Sequence, residues 1–168
     1  MGKALIVIDV QNYFINSLTK DLPGKITTYI QKHKDEFDVI VFTNFVNDSS
    51  SNSYKSGWEE CTKPPETELV DDLKPVLKFG TIFSKNVLSA LKVLQIKKLL
   101  EEKEIRELYI CGIDTDCCVL ATAYDGFDNE YEITVLENLS MTHTGKNLHD
   151  AALKMIDRNI GSVETALL

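Results

Sequence analysis

Three side chains that can cooperate in nucleophilic catalysis each follow an apolar run of the chain: Asp9, Lys85 and Cys118. Asp9 ends ALIVID, Lys85 follows TIFS, and Cys118 lies in the stretch CGIDTDCCVLATAYDGF. A thiol attacks as the thiolate, and both an ammonium group and a helix N-terminus lower the pKa of a thiol. A carboxylate near the ammonium can accept the thiol proton and pass it later to a leaving amine. The pattern therefore predicts a cysteine nucleophile with a base and a cation beside it.

A second cysteine, Cys117, directly precedes Cys118, and Cys61 and Cys111 bring the total to 4. The start of the chain, MGKALIVIDVQ, has an apolar run that is too short for a signal peptide or a membrane span. We therefore expect a cytoplasmic protein, in which thiols stay reduced and free. The spacing contains no CxxC pair and no histidine close by, so a structural zinc site is not expected.

Each candidate also has an ordinary structural interpretation. An aspartate at a strand end can cap a turn, a lysine can be a solvated surface charge, and a cysteine among apolar residues is usually a small core residue. The joint placement of Asp9, Lys85 and Cys118 at the ends of three predicted strands favours the catalytic interpretation. Ligands of open parallel sheets bind at the carboxyl ends of the strands.

The elements that would position these side chains alternate between short β-rich apolar runs and longer segments of helical period. Strands are predicted over 4–9, 39–45, 81–84, 107–113, 132–137 and 162–168, and helices over 24–34, over 89–103, from Thr115 onward, and over 144–159. This alternation predicts an α/β fold, a three-layer αβα sandwich around a doubly wound, mostly parallel sheet of about six strands. At 168 residues, the chain is expected to form a single domain over 1–168.

Residues 46–75 do not fit this alternation, since they are rich in Ser, Asn, Pro and charge. A segment of this length is too long for a plain connection, and it predicts a lid over the site or an interface element. We expect it to contact substrate together with residues near Asp9 and on the helix after Cys118. The candidates for the substrate pocket are Gln11, Phe14, Asn47, Tyr54, Trp58 and Tyr124. The sequence leaves open that Gln11 is a turn residue and that Trp58 is a lid anchor or an interface residue.

Three stretches resemble one known family: LIVIDVQNYF at the first strand, FSKNVLSAL around Lys85, and YICGIDTDCCVLATAYDGFDNEYEITVLEN. Together they are similar to the isochorismatase-like cysteine hydrolases, a superfamily that includes nicotinamidases and N-carbamoyl amidases. The block GIDTDCCVLATA is the most specific of them. The resemblance implies the Rossmann-like isochorismatase fold and a catalytic triad of Asp9, Lys85 and Cys118, with Cys117 at a variable position.

The resemblance also implies how the reaction intermediate is held. It places a non-proline cis peptide between Ile113 and Asp114, so that the N–H groups of Asp114 and Cys118 form an oxyanion hole. It further implies a homo-oligomer, a dimer or larger.

Two departures from the family pattern narrow the activity. Isochorismatases proper generally lack the cysteine, so hydrolysis of a vinyl ether is not expected. Nicotinamidases carry an Asp/His/His metal site after the second strand, whereas the corresponding stretch here, TNFVNDSSSNSYKSGW, contains no histidine. We therefore expect no metal and no other cofactor. Of the 3 histidines, His33 is expected to face solvent and His149 to pack or cap a helix, and His143 lies near the last helix.

The sequence thus predicts a metal-independent cysteine hydrolase, an amidase that cleaves a C–N bond of a small amide or carbamoyl compound through a thioester at Cys118. Three alternatives stay open: a nicotinamidase-type deamidase, a non-catalytic member in which Cys118 senses oxidants beside Cys117, and a binding protein that has kept only the fold. The net charge of −8 argues against nucleic acid or an anionic membrane surface as a partner.

Overall fold

Six parallel strands form one sheet through the computed structural model, which describes residues 2–168. The strands are β1 (Gly2–Ile8), β2 (Val39–Phe45), β3 (Thr81–Lys85), β4 (Ile105–Gly112), β5 (Glu132–Ser140) and β6 (Ser162–Glu164). Their order across the sheet is β3-β2-β1-β4-β5-β6, and every neighbouring pair is parallel. The direction of winding reverses between β1 and β4, which is where an open sheet leaves a crevice for ligands.

Helices cover both faces of this sheet. They are α1 (Leu22–His33), α2 (Asn52–Lys55), α3 (Lys74–Leu77), α4 (Leu94–Glu102), α5 (Leu120–Asp128) and α6 (Lys146–Asn159). The apolar side chains of α1 and α3 pack on one face, and those of α4, α5 and α6 pack on the other. The predicted three-layer αβα sandwich is confirmed, with a sheet that is parallel throughout. Within residues 2–168, no helix combines the length and the apolar character needed to cross a membrane.

The central strand β1 shows why its sequence is apolar without interruption. Leu5 and Val7 belong to the core beneath α1, whereas Ala4, Ile6 and Ile8 belong to the core beneath α4 and α5. None of these side chains is more than 1% exposed. A strand that is covered on both faces needs apolar residues at every position, and the run ALIVI meets this need.

Several element boundaries differ from the prediction. β1 ends before Asp9 because that residue has a positive φ of 50°, which takes it out of the strand. The helix predicted over 89–103 is interrupted at Val93, whose backbone is extended with φ −79° and ψ 112°. The last strand covers only the first part of the predicted 162–168. These differences leave the order of the elements unchanged.

Residues 46–75, which the sequence marks as irregular, fold against the carboxyl end of β2. The N–H of Asn47 donates to the carbonyl oxygen of Cys61 at 2.8 Å, and Leu69 forms an antiparallel bridge with Gln11. Cys61 is fully buried. The segment is therefore built into the domain next to the strand ends, and its role as a lid or an interface element stays a prediction.

Candidate active site

The side chains of Asp9, Lys85 and Cys118 meet at the carboxyl ends of the strands. Asp9 directly follows β1, Lys85 is the last residue of β3, and Cys118 lies in a π-helical turn, Thr115–Val119, after β4. Lys85 Nζ lies 2.6 Å from Asp9 Oδ2 and 3.5 Å from Cys118 Sγ. The structure therefore brings the carboxylate and the thiol together around one ammonium nitrogen.

The Lys85 side chain reaches from the edge of the sheet towards its centre to make these contacts. β3 is one of the two edge strands, and Lys85 pairs in register with Phe45, the last residue of β2. Its ammonium nitrogen lies 5.1 Å from the centroid of the Phe45 ring, which is cation–π distance. It also donates to the carbonyl oxygen of Val87 at 3.0 Å. Asp9 Oδ1 accepts from Thr43 Oγ1 at 2.7 Å. Both partners of the ion pair are thus held by several further contacts.

Burial and the ion pair determine the charges of the site. Burial by itself lowers the pKa of Lys85, but the carboxylate of Asp9 and the sulfur of Cys118 raise it, and the net pKa lies above the usual 10.5. A hydrogen bond with Cys117, burial and the charge of Asp9 raise the pKa of Cys118 well above the usual 9.0, and Lys85 opposes them only in part. This direction is opposite to the low thiol pKa that the sequence predicts. A thiol whose pKa is raised has to lose its proton before the sulfur can attack.

The turn before Cys118 leaves a backbone donor without a protein partner. The carbonyl oxygen of Asp114 accepts from the N–H groups of Cys117 at 3.1 Å and Val119 at 3.0 Å, which closes the turn. Within residues 2–168, the N–H of Asp114 itself has no hydrogen-bond acceptor. The Ile113–Asp114 peptide bond is cis. The Asp114 N–H is therefore available to a ligand.

A glycine allows β4 to approach β1 closely at this point. Gly112 has a φ of 124°, and a Cβ atom there would lie 2.1 Å from the carbonyl oxygen of Ile8. The same oxygen accepts from the N–H of Ile113 at 2.8 Å. Backbone contact between these strand ends thus holds the turn that carries Cys118 beside the residue that precedes Asp9.

A cavity of about 220 Å³ opens beside Cys118. Its apolar wall is formed by Tyr13, Phe14, Phe45, Trp58 and Leu88. Its polar wall is formed by Ser53, Asp114, Cys117 and His143. The volume is below the range of about 300–1,000 Å³ that is typical of pockets for drug-sized ligands, so the cavity suits a small compound.

Among the predicted pocket residues, Phe14 and Trp58 line this cavity. Gln11 does not, and its prediction as a pocket side chain was wrong. Its side chain is fully buried, accepts from the N–H of Phe45 at 2.6 Å and donates to the carbonyl oxygen of the same residue at 2.9 Å. The amide of Gln11 therefore joins the ends of β1 and β2 instead of contacting a ligand.

Asn47 also lies outside the cavity wall, against the prediction. It is buried, and its amide donates to the carbonyl oxygens of Trp58 at 2.6 Å and of Glu60 at 3.0 Å. Asn47 therefore supports the segment that carries Trp58 and does not itself line the cavity.

The two tyrosines predicted for the pocket are placed elsewhere too. In the short helix α2, Ser53 lines the cavity and Tyr54 does not, because neighbouring helical residues point in different directions. Tyr124 lies on α5, and its hydroxyl accepts from the side chain of Asn159 on α6 at 2.6 Å. Tyr124 thus connects two helices on one face of the sheet.

Further side chains line the cavity without having been predicted as pocket residues: Tyr13, Phe45, Ser53, Leu88 and His143. His143 follows the end of β5, with its ring Nδ1 2.8 Å from Asp114 Oδ2. Burial raises the pKa of Asp114, although hydrogen bonds from His143 oppose this effect. The rule that selects polar residues after strand ends would have found His143 if the predicted fifth strand had continued to Ser140.

The other histidines are structural. His33 faces solvent only in part, with 22% of its side chain exposed. Its ring stacks on Tyr29 with 4.6 Å between centroids, and its Nε2 lies 2.8 Å from the carbonyl oxygen of Leu167. His149 packs, as expected: it is buried, with Nδ1 2.8 Å from Thr115 Oγ1.

The stretch after β2 does not fit a metal ion of the nicotinamidase kind. Asp48 is the single acidic residue between 46 and 58, and its carboxylate accepts from Ser50 N–H at 2.7 Å and from Asn86 Nδ2 at 3.3 Å. In the described part of the chain, no three His, Cys, Asp or Glu side chains come together as a metal site. The absence of a metal from the working protein stays a prediction.

The doubly wound parallel sheet makes the molecule an α/β protein. A buried Asp–Lys pair and a cysteine lie at the switch point of this sheet, where such folds bind ligands. The chain belongs to the isochorismatase family, since the family profile described as "Isochorismatase domain" matches residues 3–166.

Individual proteins of known name are similar to this chain. The isochorismatase family protein YaaI of Bacillus subtilis is 27% identical over 167 residues, which cover 92% of this chain and 88% of YaaI. The ureidoacrylate amidohydrolase RutB of Caulobacter segnis is 38% identical over 99 residues, which cover 58% of this chain and 41% of RutB. The crystal structure of the nicotinamidase/pyrazinamidase PncA from Bacillus subtilis superposes with a TM-score of 0.86 at 24% identity, covering 97% of this chain and 99% of that one. This last likeness supports the fold.

Proposed function

We propose that the protein is a cysteine hydrolase that cleaves the C–N bond of a small amide or carbamoyl compound. The observation that carries the proposal is the position of Lys85 Nζ, which contacts both the Asp9 carboxylate and the Cys118 sulfur beside the cavity. Family membership supports it, because the similar proteins include a ureidoacrylate amidohydrolase and a nicotinamidase. Asp9, Lys85 and Cys118 are the catalytic residues in this proposal.

In the first half of the reaction, Asp9 accepts the thiol proton of Cys118 as the sulfur attacks the carbonyl carbon of the substrate. A carbon–sulfur bond forms and the carbonyl oxygen takes a negative charge, which the N–H groups of Asp114 and Cys118 stabilise. One such donor typically contributes about 3 kcal/mol to barrier lowering. Asp9 then donates the proton to the substrate nitrogen, the C–N bond breaks, and ammonia or an amine leaves. The product of this half is a thioester at Cys118.

In the second half, water attacks the thioester carbon while Asp9 accepts one of its protons. The carbon–sulfur bond breaks, the acid is released, and the proton returns to the sulfur of Cys118. Lys85 stays an ammonium ion throughout, because its raised pKa keeps it protonated at neutral pH. Its charge lowers the cost of negative charge on the neighbouring sulfur and carboxylate.

Separate replacement of the two adjacent cysteines tests the proposal. Cys118→Ala is expected to abolish ammonia release from a panel that contains nicotinamide, benzamide and N-carbamoylglycine, and to abolish the acyl adduct seen by mass spectrometry of quenched reactions. Cys117→Ala serves as the matched control and is expected to keep most of the turnover. Wild-type turnover in Cys118→Ala would refute the proposal, and loss of the adduct in Cys117→Ala alone would move the nucleophile to Cys117.

We further propose a single hydrolase domain over 1–168 that works in the cytoplasm as a homo-oligomer and binds no nucleic acid. All four cysteines are free, which supports a reducing compartment. The edge strand β3 exposes Ile82 by 48%, an apolar surface that a second copy could cover. Sedimentation velocity at micromolar concentration is expected to show a dimer or a larger species, and a monomer across that range would contradict this.

A further inference from the structure

The cavity beside Cys118 has a polar end that the proposed reaction does not use. It consists of His143 and the side chain of Asp114. Asp114 Oδ1 accepts from the backbone N–H of His143 at 2.8 Å, and Asp114 Oδ2 lies 2.8 Å from the ring Nδ1. Because an ionised carboxylate can only accept hydrogen bonds, this contact places the ring proton on Nδ1. Nε2 of the neutral ring is then a hydrogen-bond acceptor.

The imidazole ring is fixed, and its second nitrogen has no protein partner. The ring lies 5.2 Å from the Phe14 ring and 6.3 Å from the Tyr13 ring, measured between centroids. The carbonyl oxygen of His143 accepts from Asn16 Nδ2 at 2.7 Å, which anchors the backbone. Within residues 2–168, the hydrogen bonds of the ring all involve Nδ1. The side chain lines the cavity and is 28% exposed, so Nε2 is open to a ligand there.

The charge of the cavity disfavours ligands that carry a carboxylate. Among the described residues that line it there is no Lys or Arg, and Asp114 contributes a carboxylate. Lys85 lies behind the wall with a fully buried side chain that already contacts Asp9. A carboxylate on the substrate would lose its hydration here without gaining a counter-charge, which is costly. The cavity therefore favours a neutral compound.

We propose that His143 is a substrate-positioning residue that selects small, neutral, flat amides with an N–H or O–H donor on the acyl group, and that this donor binds to Nε2. The aromatic walls from Tyr13, Phe14 and Trp58 hold the flat faces of such a compound. Asp114 fixes the tautomer and the orientation of the ring. The inference rests on the proposed function, because the amide carbon of the same compound has to face Cys118.

Two amides of nearly the same shape test the proposal. Pyrrole-2-carboxamide carries a ring N–H where furan-2-carboxamide carries an ether oxygen. The wild-type protein is expected to turn over the pyrrole amide with a kcat/KM about tenfold higher, the discrimination that one hydrogen bond can supply. In His143→Phe the ratio is expected to fall close to one, mainly through a higher KM for the pyrrole amide. His143→Gln retains an acceptor and is expected to keep part of the preference.

The outcomes separate this inference from the proposed function. Each ratio comes from one protein sample, so a partly folded variant does not distort it. Three results would overturn the inference and leave the proposed hydrolase activity intact. They are an equal kcat/KM for the two amides in wild type, an unchanged ratio in His143→Phe, and faster turnover of anionic N-carbamoylglycine than of either amide. If no amide is turned over, the proposed function fails, and calorimetry of the two amides on Cys118→Ala decides the inference. Tighter binding of the pyrrole amide would support it, and equal or absent binding would overturn it.

Discussion

Replacement of Lys85 by methionine would test the buried ion pair at the centre of the site. The ammonium nitrogen of Lys85 lies 2.6 Å from Asp9 Oδ2, and neither side chain has exposed surface. Methionine is apolar and of similar length, so it fills much of the space but leaves the Asp9 carboxylate without a counter-charge. Breaking a buried pair in this way typically costs about 3–5 kcal/mol. Since domains are usually stabilised by about 5–15 kcal/mol in total, we expect a large part of the free energy of unfolding to be lost.

Two further variants separate charge from packing. Asp9→Asn/Lys85→Met removes both charges, so it leaves no isolated charge buried and is expected to be more stable than Lys85→Met alone. Lys146→Met is the matched surface control, because Lys146 Nζ lies 2.7 Å from Asp150 Oδ1 with the lysine side chain 71% exposed. The distance is nearly the same and the burial is not, so this variant is expected to leave stability almost unchanged.

Urea unfolding at pH 7 measures these differences in the free energy of unfolding. The transition is followed by circular dichroism and by the fluorescence of Trp58, the single tryptophan of the chain. Turnover is expected to be lost in both Lys85 variants and kept in Lys146→Met. A loss of stability in Lys85→Met as small as in Lys146→Met, with the same denaturant slope, would refute the reasoning, because a buried carboxylate cannot lose its partner at no cost.

Four other variants follow from features of the fold. Burial raises the pKa of Cys61 from 9.0 to about 12, so its proton is held more tightly in the folded state and the free energy of unfolding falls as the pH rises from about 9 towards 12. Urea unfolding of Cys61→Ser across this range is expected to show a smaller fall, and an identical fall would contradict the assignment. Gly112→Ala places a Cβ 2.1 Å from a β1 carbonyl oxygen and is expected to cost about 3 kcal/mol or more, whereas Gly24→Ala, whose Cβ meets nothing within 4 Å in α1, is expected to gain about 0.5–1 kcal/mol. Asn47→Ala removes the bonds that support Trp58 and is expected to raise KM more than it lowers kcat; a change in kcat alone would show that Asn47 acts elsewhere.

The sheet and the meeting of Asp9, Lys85 and Cys118 could be predicted because both depend on local signals. Apolar runs bounded by polar residues mark strands that are covered on both faces. Parallel strands end at the same edge of a sheet, so residues that follow different strands can lie side by side. The family resemblance pointed to the same three residues.

The cavity wall and the charge of the thiol could not be predicted in the same way. Gln11 is polar and close to Asp9, yet the backbone of Phe45 occupies its amide. His143 lies far along the chain from Asp114, and only the folded sheet brings them together. The pKa of Cys118 depends on its burial and on its contact with Cys117, neither of which is visible in the spacing of residues.

Two of the three proposed catalytic side chains and much of the cavity wall rest on different parts of the molecule. Asp9 and Lys85 stand at the ends of sheet strands, whereas Trp58 and His143 stand on connections that follow β2 and β5. Connections tolerate replacement far better than central strands. Substrate range can therefore diverge while the reaction stays the same, and a library randomised at positions 53, 58, 88 and 143 is where new amide preferences should be sought in this scaffold.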